Sequence, residues 1–527
     1  MRALSPRDAL LVVLGAGAMY LVNIFVPLSE PVALVDESLA GHNDLGMPEE
    51  VFVPPAQPAA DVLVPAPQAP APVLEEPLIE PPKPRPPLAP TVLHQHAPGW
   101  TIFDNLYMAN GTLFAVTDTP DDFPAIEWMT STGLPAVNSP ESIQERMPTE
   151  RDFSFISTAE AKRRWGNEAD ETETRVSPID GSTLLFNDPD QFLNHYYHFC
   201  AELMFGAWAF WTGTFPDDTP SVWTRAMFPH TGQTWRDKPG MNALFARGGF
   251  PTLTIETDED WKDRTAATAV TEEQLRSPTK GRAWRFDRVL LADRSAAFRG
   301  PECGSRTQRT AAEAMLGVVP KDRDGKPVPG HEFLERGWWE PVRRRVLKFV
   351  GIPQSQLDLF KPDEPERVLP NEKIIVTYVD RQSVRRHLIH EDHELLVQSL
   401  REMCIRRGWE LIIMKGEALS KDEQLAIASK TTYLVGVHGN GLSHLIMMPP
   451  TPATTVIEIF FPTGYAHDYE WTARSLGMKH FAVWNDTSTT YPEVQWPSYP
   501  DGFQGEQIPV YGPYVAGLIE GRADGKL

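Results

Sequence analysis

Cysteine is scarce in this chain: Cys200, Cys303 and Cys404 are the three it has in 527 residues. Three are too few for a disulfide framework, and their spacing fits no metal-ligand motif. One pair at most can close in an oxidising compartment, and the sequence leaves open which. A P-loop is missing too, because no Gly-Lys-Ser/Thr follows a glycine-rich turn, and there is no GxGxxG. That argues against P-loop phosphoryl transferases and sulfotransferases. Positive charge is in deficit: the formal net charge of −22 argues against a polyanion partner such as nucleic acid.

What is present begins at the N-terminus with an apolar run, Ala9 to Leu28, of about the ~20 residues that cross a bilayer. Arg2 and Arg7 precede it and acidic residues follow from Glu30. This charge order predicts a cytosolic tail over 1–8, an uncleaved transmembrane signal-anchor over 9–28 and a luminal remainder. A cleaved signal peptide is the competing reading, weakened by the length of the run and the lack of a small-x-small site before Glu30. Pro27 to Pro90 holds about a third of the 50 prolines with few aromatics, so residues 29–95 are expected to form a disordered stem. The rest suits two domains, 96–369 and 370–490, with 491–527 a tail that packs back or is partly disordered. Asn110-Gly-Thr112 and Asn485-Asp-Thr487 are glycosylation sequons, meaningful if this region is luminal.

From Glu372 onward strand and helix alternate at short intervals. Lys373–Val379, Trp409–Met414, Tyr433–Val437, Thr455–Phe460 and His480–Trp484 read as strands. Glu391–Arg407, the segment opened by the capping box Ser420 to Glu423, the run after Gly441 and Tyr469–Leu476 read as helices. Such alternation predicts a parallel, doubly wound sheet. Its most telling stretch is TYLVGVHGNGLSHLIMMPP, where a strand stops at His438-Gly439-Asn440-Gly441 and a helix N-terminus follows. Glycines admit a close ligand, and unpaired N–H groups favour a phosphate. Asn440, Leu442 and Ser443 join that candidate site, and His438 stands at the strand's carboxyl end, where ligands of open α/β sheets lie. A tight turn that needs glycine for sterics alone is the bland alternative. Arg381, Arg385 and Arg386, just past the first strand, suit a diphosphate clamp; the alternative is solvated surface charge. Glu458, inside an apolar strand, needs a partner. A ribose diol is one choice and a structural arginine another.

The first half is less regular. Ile102–Asp118 reads as two strands around an Asn-Gly turn. Asn194, His198 and Glu202 fall four apart at the start of an aromatic-rich helix. A carboxylate one turn from an imidazole can orient it as a general base, although the two can equally satisfy each other in a core. Asp258-Glu-Asp260 and Asp322-Arg-Asp324 are DxD-like spots of the kind that hold a divalent ion on a diphosphate. The second reads as a solvated turn, and no metal site is expected.

Taken in order, these segments resemble glycosyltransferase family 61, in its fungal-type branch. FDNLYMANGTLF is similar to its opening strand pair, NHYYHFCAE to its Asn-x-x-x-His-x-x-x-Glu helix and FDRVLLADR to its middle strand. DRQSVRRHLIHEDHEL is similar to its arginine loop, GVHGNGLSHLIMMPP to its His-Gly-Ala-Gly-Leu-Thr-Asn signature and VIEIFFP to its Glu-bearing strand. Asn440 stands for the usual alanine, Ser443-His444 for Thr-Asn, and His390 where Asn is common. The resemblance implies a GT-B-like α/β architecture, two Rossmann-type domains facing a cleft. It implies a membrane-bound Golgi enzyme that transfers xylose or N-acetylglucosamine with inversion from a UDP-sugar to a glycan, glycoprotein or glycolipid hydroxyl, without an essential metal or other cofactor. The implied roles are His198 as base with Glu202 as orienter, or the reverse, the arginines and the Gly439–Leu442 backbone on the diphosphate, and Glu458 on the ribose. An inactive luminal binding protein of the same fold is the rival. Retention of His198, Glu202, the arginines and His438 together speaks against it.

Overall fold

The computed structural model describes residues 88–527, apart from 138, 167–172, 221, 271–280, 298–305, 322–324, 328–333, 359–373, 494 and 506. The predicted anchor, most of the stem, Cys303, Asp322, Asp324 and the 369/370 boundary therefore lie outside the described residues. Among the described residues no helix is long and apolar enough to cross a membrane.

The fold begins earlier than the predicted stem allows. Thr91 N–H donates to the Val116 carbonyl at 2.8 Å and the Tyr107 hydroxyl to the Ala89 carbonyl at 2.7 Å. The first sheet contains β1 (Val92–Ala97), β2 (Trp100–Ala109), β3 (Thr112–Val116), β4 (Phe153–Ile156), β5 (Val176–Phe186), β6 (Trp223–Met227), β7 (Thr254–Glu256) and β8 (Ala283–Ala292). Their order is β4-β3-β2-β8-β5-β6-β7, with β1 also on β2. Strands β8, β5, β6 and β7 run parallel, but β2 is antiparallel to β1, β3 and β8. This half is thus a mixed sheet rather than a plain doubly wound one. The cause is local: Asn110 and Gly111 take φ of 52° and 80°, the left-handed pair that a tight hairpin needs, and a hairpin enforces antiparallel pairing.

The second sheet holds β9 (Ile375–Asp380), β10 (Glu410–Lys415), β11 (Tyr433–Val437), β12 (Thr455–Ile459), β13 (Lys479–Trp484) and β14 (Thr487–Thr489), in the order β10-β9-β11-β12-β13-β14. The first five are parallel and β14 is antiparallel. Every residue of β9, β11 and β12 is buried, as strands covered on both faces must be. The helix His390–Arg407 ends on Gly408 at φ 69°, and Ser420 with Glu423 forms the expected capping box. The C-terminal helix Gly512–Ala523 packs against His390–Arg407, so the tail folds back onto this half.

One continuous apolar core joins the halves. It runs from the aromatic helix Phe205–Thr214 through Trp338 and Trp339 to Leu442, Leu445 and Ile446. Trp339 Nε1 donates to the Ile446 carbonyl at 2.9 Å, and Arg343 Nε to that of Met447 at 3.0 Å. A buried indole and a guanidinium thereby satisfy carbonyls at the end of the segment that follows the glycine turn.

Candidate active site

With β9 first, the parallel strands of the second sheet run 2-1-3-4-5, and the winding direction reverses between β9 and β11. In such sheets the chain departs from the two central strands to opposite sides and leaves a crevice at their carboxyl ends, where ligands bind. The arginine loop leaves β9 at this point and the glycine turn leaves β11. Gly439 has φ 147° and ψ −179°, a conformation open essentially to glycine alone, and a Cβ there would strike the Arg381 guanidinium. A Cβ on Gly441 would come within 2.7 Å of Val379. Both glycines are needed for close approach.

Arg381 Nη2 donates to the Arg385 carbonyl at 3.3 Å, and Arg386 Nη1 to that of His438 at 3.3 Å. Among the described residues none of Arg381, Arg385 and Arg386 pairs with a carboxylate, and the Nε atoms of Arg381 and Arg386 are buried without a partner. Burial first, then the neighbouring arginines, pushes both guanidiniums below their ordinary range, Arg386 to about 10. They stay cationic at neutral pH, and their mutual repulsion is a cost that a bound anion relieves. Arg386 itself sits at φ 58°, a strained position for a non-glycine residue.

The segment after the turn, Asn440–Met447, is a helix of the 3-10 type. Leu442 and Ser443 are fully buried, and Leu442 N–H already donates to the Gly439 carbonyl at 2.9 Å. Neither side chain can face a nucleotide. Asn440 Oδ1 is committed as well: it accepts the Tyr197 backbone N–H at 3.0 Å and the Ser443 hydroxyl at 3.3 Å. The amide predicted to touch the ligand instead ties the glycine turn to the other half. Glu458 departs further. It is wholly buried, one oxygen 2.5 Å from His438 Nδ1 and the other 2.8 Å from His480 Nε2. A ribose would have to displace one of these rings, so the structure gives Glu458 the role of holding His438. Burial pushes its carboxyl up and His438 down, and Arg386 and Arg381 also oppose a charged His438.

On the other half the chain winds as a π-helix over Tyr197–Met204 before the α-helix begins at Phe205. Asn194 precedes it in an exposed turn, so the expected stack of three is a stack of two. His198 Nδ1 lies 2.6 Å from Glu202 Oε2, and Arg294 Nη1 lies 2.5 Å from Glu202 Oε1. Arg294 also approaches Asp188, 3.4 Å away, whose other oxygen accepts the Arg294 N–H at 2.7 Å. Burial is the largest influence on Glu202 and pushes it up, but Arg294 and His198 outweigh it and hold the carboxyl at about 2. Asp188, fully buried, rises to about 6. Glu202 is thus ionised and sealed. The His198 side chain, 31% exposed against 5% for Glu202, is the open end of the chain. Both Glu202 oxygens are occupied, one by His198 and the other by Arg294.

The two clusters meet. His195 packs 5.0 Å from His198 and lies in the field of Arg381, Arg385 and Arg386; burial, then His198 and these arginines, lowers it to about 3. Tyr469 fills the remaining side, 4.9 Å from Tyr197 and 5.7 Å from His438. Other expected positions lie apart. Asp260 caps Thr257 and Asp258 pairs with Lys262 at 2.6 Å, so this spot is a helix start. Cys200 and Cys404 are free buried thiols. Asn110 and Asn485 are exposed in turns at φ 52°. Sequence reasoning missed Arg294, Asp188, His480 and His195. Arg294 and His480 stand at strand ends that it did mark.

Residues 324–457, which carry the arginine loop and the glycine turn, match the family profile described as Glycosyltransferase 61. Over these residues the chain is similar to glycosyltransferase family 61. A stretch of 133 residues is 29% identical to the EGF domain-specific O-linked N-acetylglucosamine transferase of Drosophila melanogaster. It covers 25% of this chain and 24% of that protein, so the chain matches about a quarter of its relative's length. The matched family 61 segment stops one residue short of Glu458 and does not reach His198 or Glu202.

Proposed function

We propose that this protein is an inverting glycosyltransferase that moves a sugar from a UDP-sugar to an acceptor hydroxyl. One observation carries the reading: Arg381 and Arg386, partly buried and without carboxylate partners among the described residues, flank a glycine turn at the switch point of a parallel sheet, with the exposed Arg385 beside them, inside the segment that matches family 61. Such a site suits a diphosphate. In the reaction His198 Nε2 takes the proton of the acceptor hydroxyl, with Nδ1 held by Glu202. The hydroxyl oxygen bonds the anomeric carbon from the face opposite the diphosphate. The bond from that carbon to the β-phosphate oxygen breaks, its electron pair leaving on UDP beside Arg381 and Arg386. Preorganised cations stabilise charge where it develops, and because they meet the diphosphate directly, turnover is expected to survive EDTA. N-acetylglucosamine, named in the relative, and xylose are the donors to try first. The arginine-flanked apolar run at 9–28 supports a Golgi membrane anchor with a luminal catalytic region, where Asn110 and Asn485 would be glycosylated.

Calorimetry of UDP with the full chain, beside transfer from UDP-N-acetylglucosamine and UDP-xylose, tests the reading. Arg386→Ala removes a charge-assisted contact of about 1.5–3 kcal/mol and should weaken UDP binding by that amount. His198→Ala should leave UDP binding intact while transfer falls by about a hundredfold or more. Equal loss of UDP affinity in both variants, or normal transfer without His198, defeats the assignment.

A further inference from the structure

One carboxylate at the junction has no role in the steps above. Asp468 opens the helix Asp468–Ser475, whose next residue, Tyr469, wedges between Tyr197 and His438. Its first turn therefore lies where the base-bearing helix and the glycine turn converge. The Asp468 side chain is half-buried, and among the described residues it makes no hydrogen bond or ion pair; only its backbone carbonyl is used, by the Thr472 hydroxyl at 2.7 Å. Its charged neighbours come from both halves: Glu202 and His198 on one side, Arg386 and His467 on the other. Burial, reinforced by Glu202, raises its carboxyl to about 6. A half-buried carboxylate without donors is costly to keep, which marks it as awaiting a partner.

Resting on the proposed transferase reading, we infer that Asp468 contacts the sugar being transferred and accepts hydrogen bonds from its hydroxyl groups. A carboxylate offers acceptors only, about four lone-pair sites, so it matches a polyol and repels phosphate. Its position between His198, which meets the acceptor, and Arg386, which meets the diphosphate, is where the transferred ring must lie. Within this site Asp468 reads the donor's sugar, whereas the arginines read its diphosphate.

Calorimetry with two probes, bare UDP and UDP-N-acetylglucosamine, separates these contributions, with UDP-xylose as a third titration. In Asp468→Asn the ratio of UDP-sugar affinity to UDP affinity should fall by about tenfold or more, the range for a hydrogen bond to a charged group. Bare UDP should bind at least as well as before, because a negative charge beside Arg386 is gone. Asp468→Glu should restore part of the ratio, and an unchanged melting midpoint in either variant excludes a folding defect. A ratio preserved in Asp468→Asn, or UDP affinity lost in parallel with UDP-sugar affinity, overturns the assignment of Asp468 alone. Failure of the wild-type chain to bind UDP or any of these UDP-sugars overturns the transferase reading, and this inference with it.

Discussion

Two ion clusters meet across Tyr197 and Asn440, one closed and one open. In the closed cluster Arg294 bridges Glu202 and Asp188, and Glu202 holds His198, so only the imidazole end is left for chemistry. In the open cluster Arg381 and Arg386 lie against Gly439 and His438 with Arg385 beside them, and among the described residues no carboxylate is in ion-pair contact with any of the three. Arg381 and Arg386 are partly buried while Arg385 is exposed, so solvent screens only part of the open cluster. Paired charges fix a side chain's geometry; unpaired like charges store repulsion that only a ligand relieves. The same residue type, arginine, is scaffold in one place and receptor in the other.

The sharpest way to break that distinction is to remove one arginine from each cluster and measure stability. Arg294→Met leaves Glu202 a buried carboxylate held by His198 alone, and removing one partner of a buried pair costs about 3–5 kcal/mol. Chemical denaturation should show a loss of that order together with loss of transfer. Arg386→Ala, by contrast, should leave stability unchanged or slightly higher, since it relieves repulsion. If the two variants lose equal stability, the open cluster is scaffold too.

Acid offers an intermediate test. Burial and the arginines hold His195 near 3, and burial alone holds His444 near 4, against about 6.5 in an unfolded chain. The unfolded state therefore binds protons below about pH 6.5 that the native state refuses. Stability is fully present above that pH and is lost as pH falls toward 4, with Glu202 adding a loss only below about pH 4.5 as its own folded value near 2 is approached. Asp188 and Asp468, raised to about 6, act in the opposite sense over this range, so the test is the difference: the fall in melting midpoint from pH 7 to pH 5 should be smaller in His195→Gln than in wild type. An equal drop in wild type and variant would show that the neutral His195 contributes nothing.

The positions of the open cluster were readable from sequence, whereas of the closed one only the His198–Glu202 pair was, for a physical reason. Arg381, Arg385, Arg386, His438 and Gly439 sit at the ends of two continuous apolar strands whose boundaries, Ile375–Asp380 and Tyr433–Val437, fall within two residues of those expected. In a parallel sheet a strand's carboxyl end fixes where a residue must be. The closed cluster instead draws Asp188 and Arg294 from just beyond two strands of a mixed sheet and Glu202 from a helix, and nothing in local periodicity pairs residues about a hundred positions apart. Glu458 shows the middle case: its need for a partner was legible, but His438 and His480 supply it through the register of three neighbouring strands. Asp468 left no signal, since an aspartate at a helix start usually serves the helix dipole.

The smallest expected effect concerns the strap between the clusters. Asn440 Oδ1 accepts the Tyr197 N–H, a single bond that links the glycine turn to the first turn of the His198 helix. Asn440→Ala removes a neutral hydrogen bond whose net contribution is about 0.5–1.5 kcal/mol, so the melting midpoint should shift by only a few degrees. Because the strap sets how the base stands relative to the diphosphate site, the cost should appear in kcat rather than in UDP affinity, a modest fall of about threefold to tenfold. Asn440→Asp keeps the acceptor and should recover most of that loss, at some expense in UDP affinity from the added negative charge beside the arginines. Weaker UDP binding in Asn440→Ala with kcat unchanged would instead make Asn440 a direct ligand of the nucleotide. The two clusters would then be independent of each other.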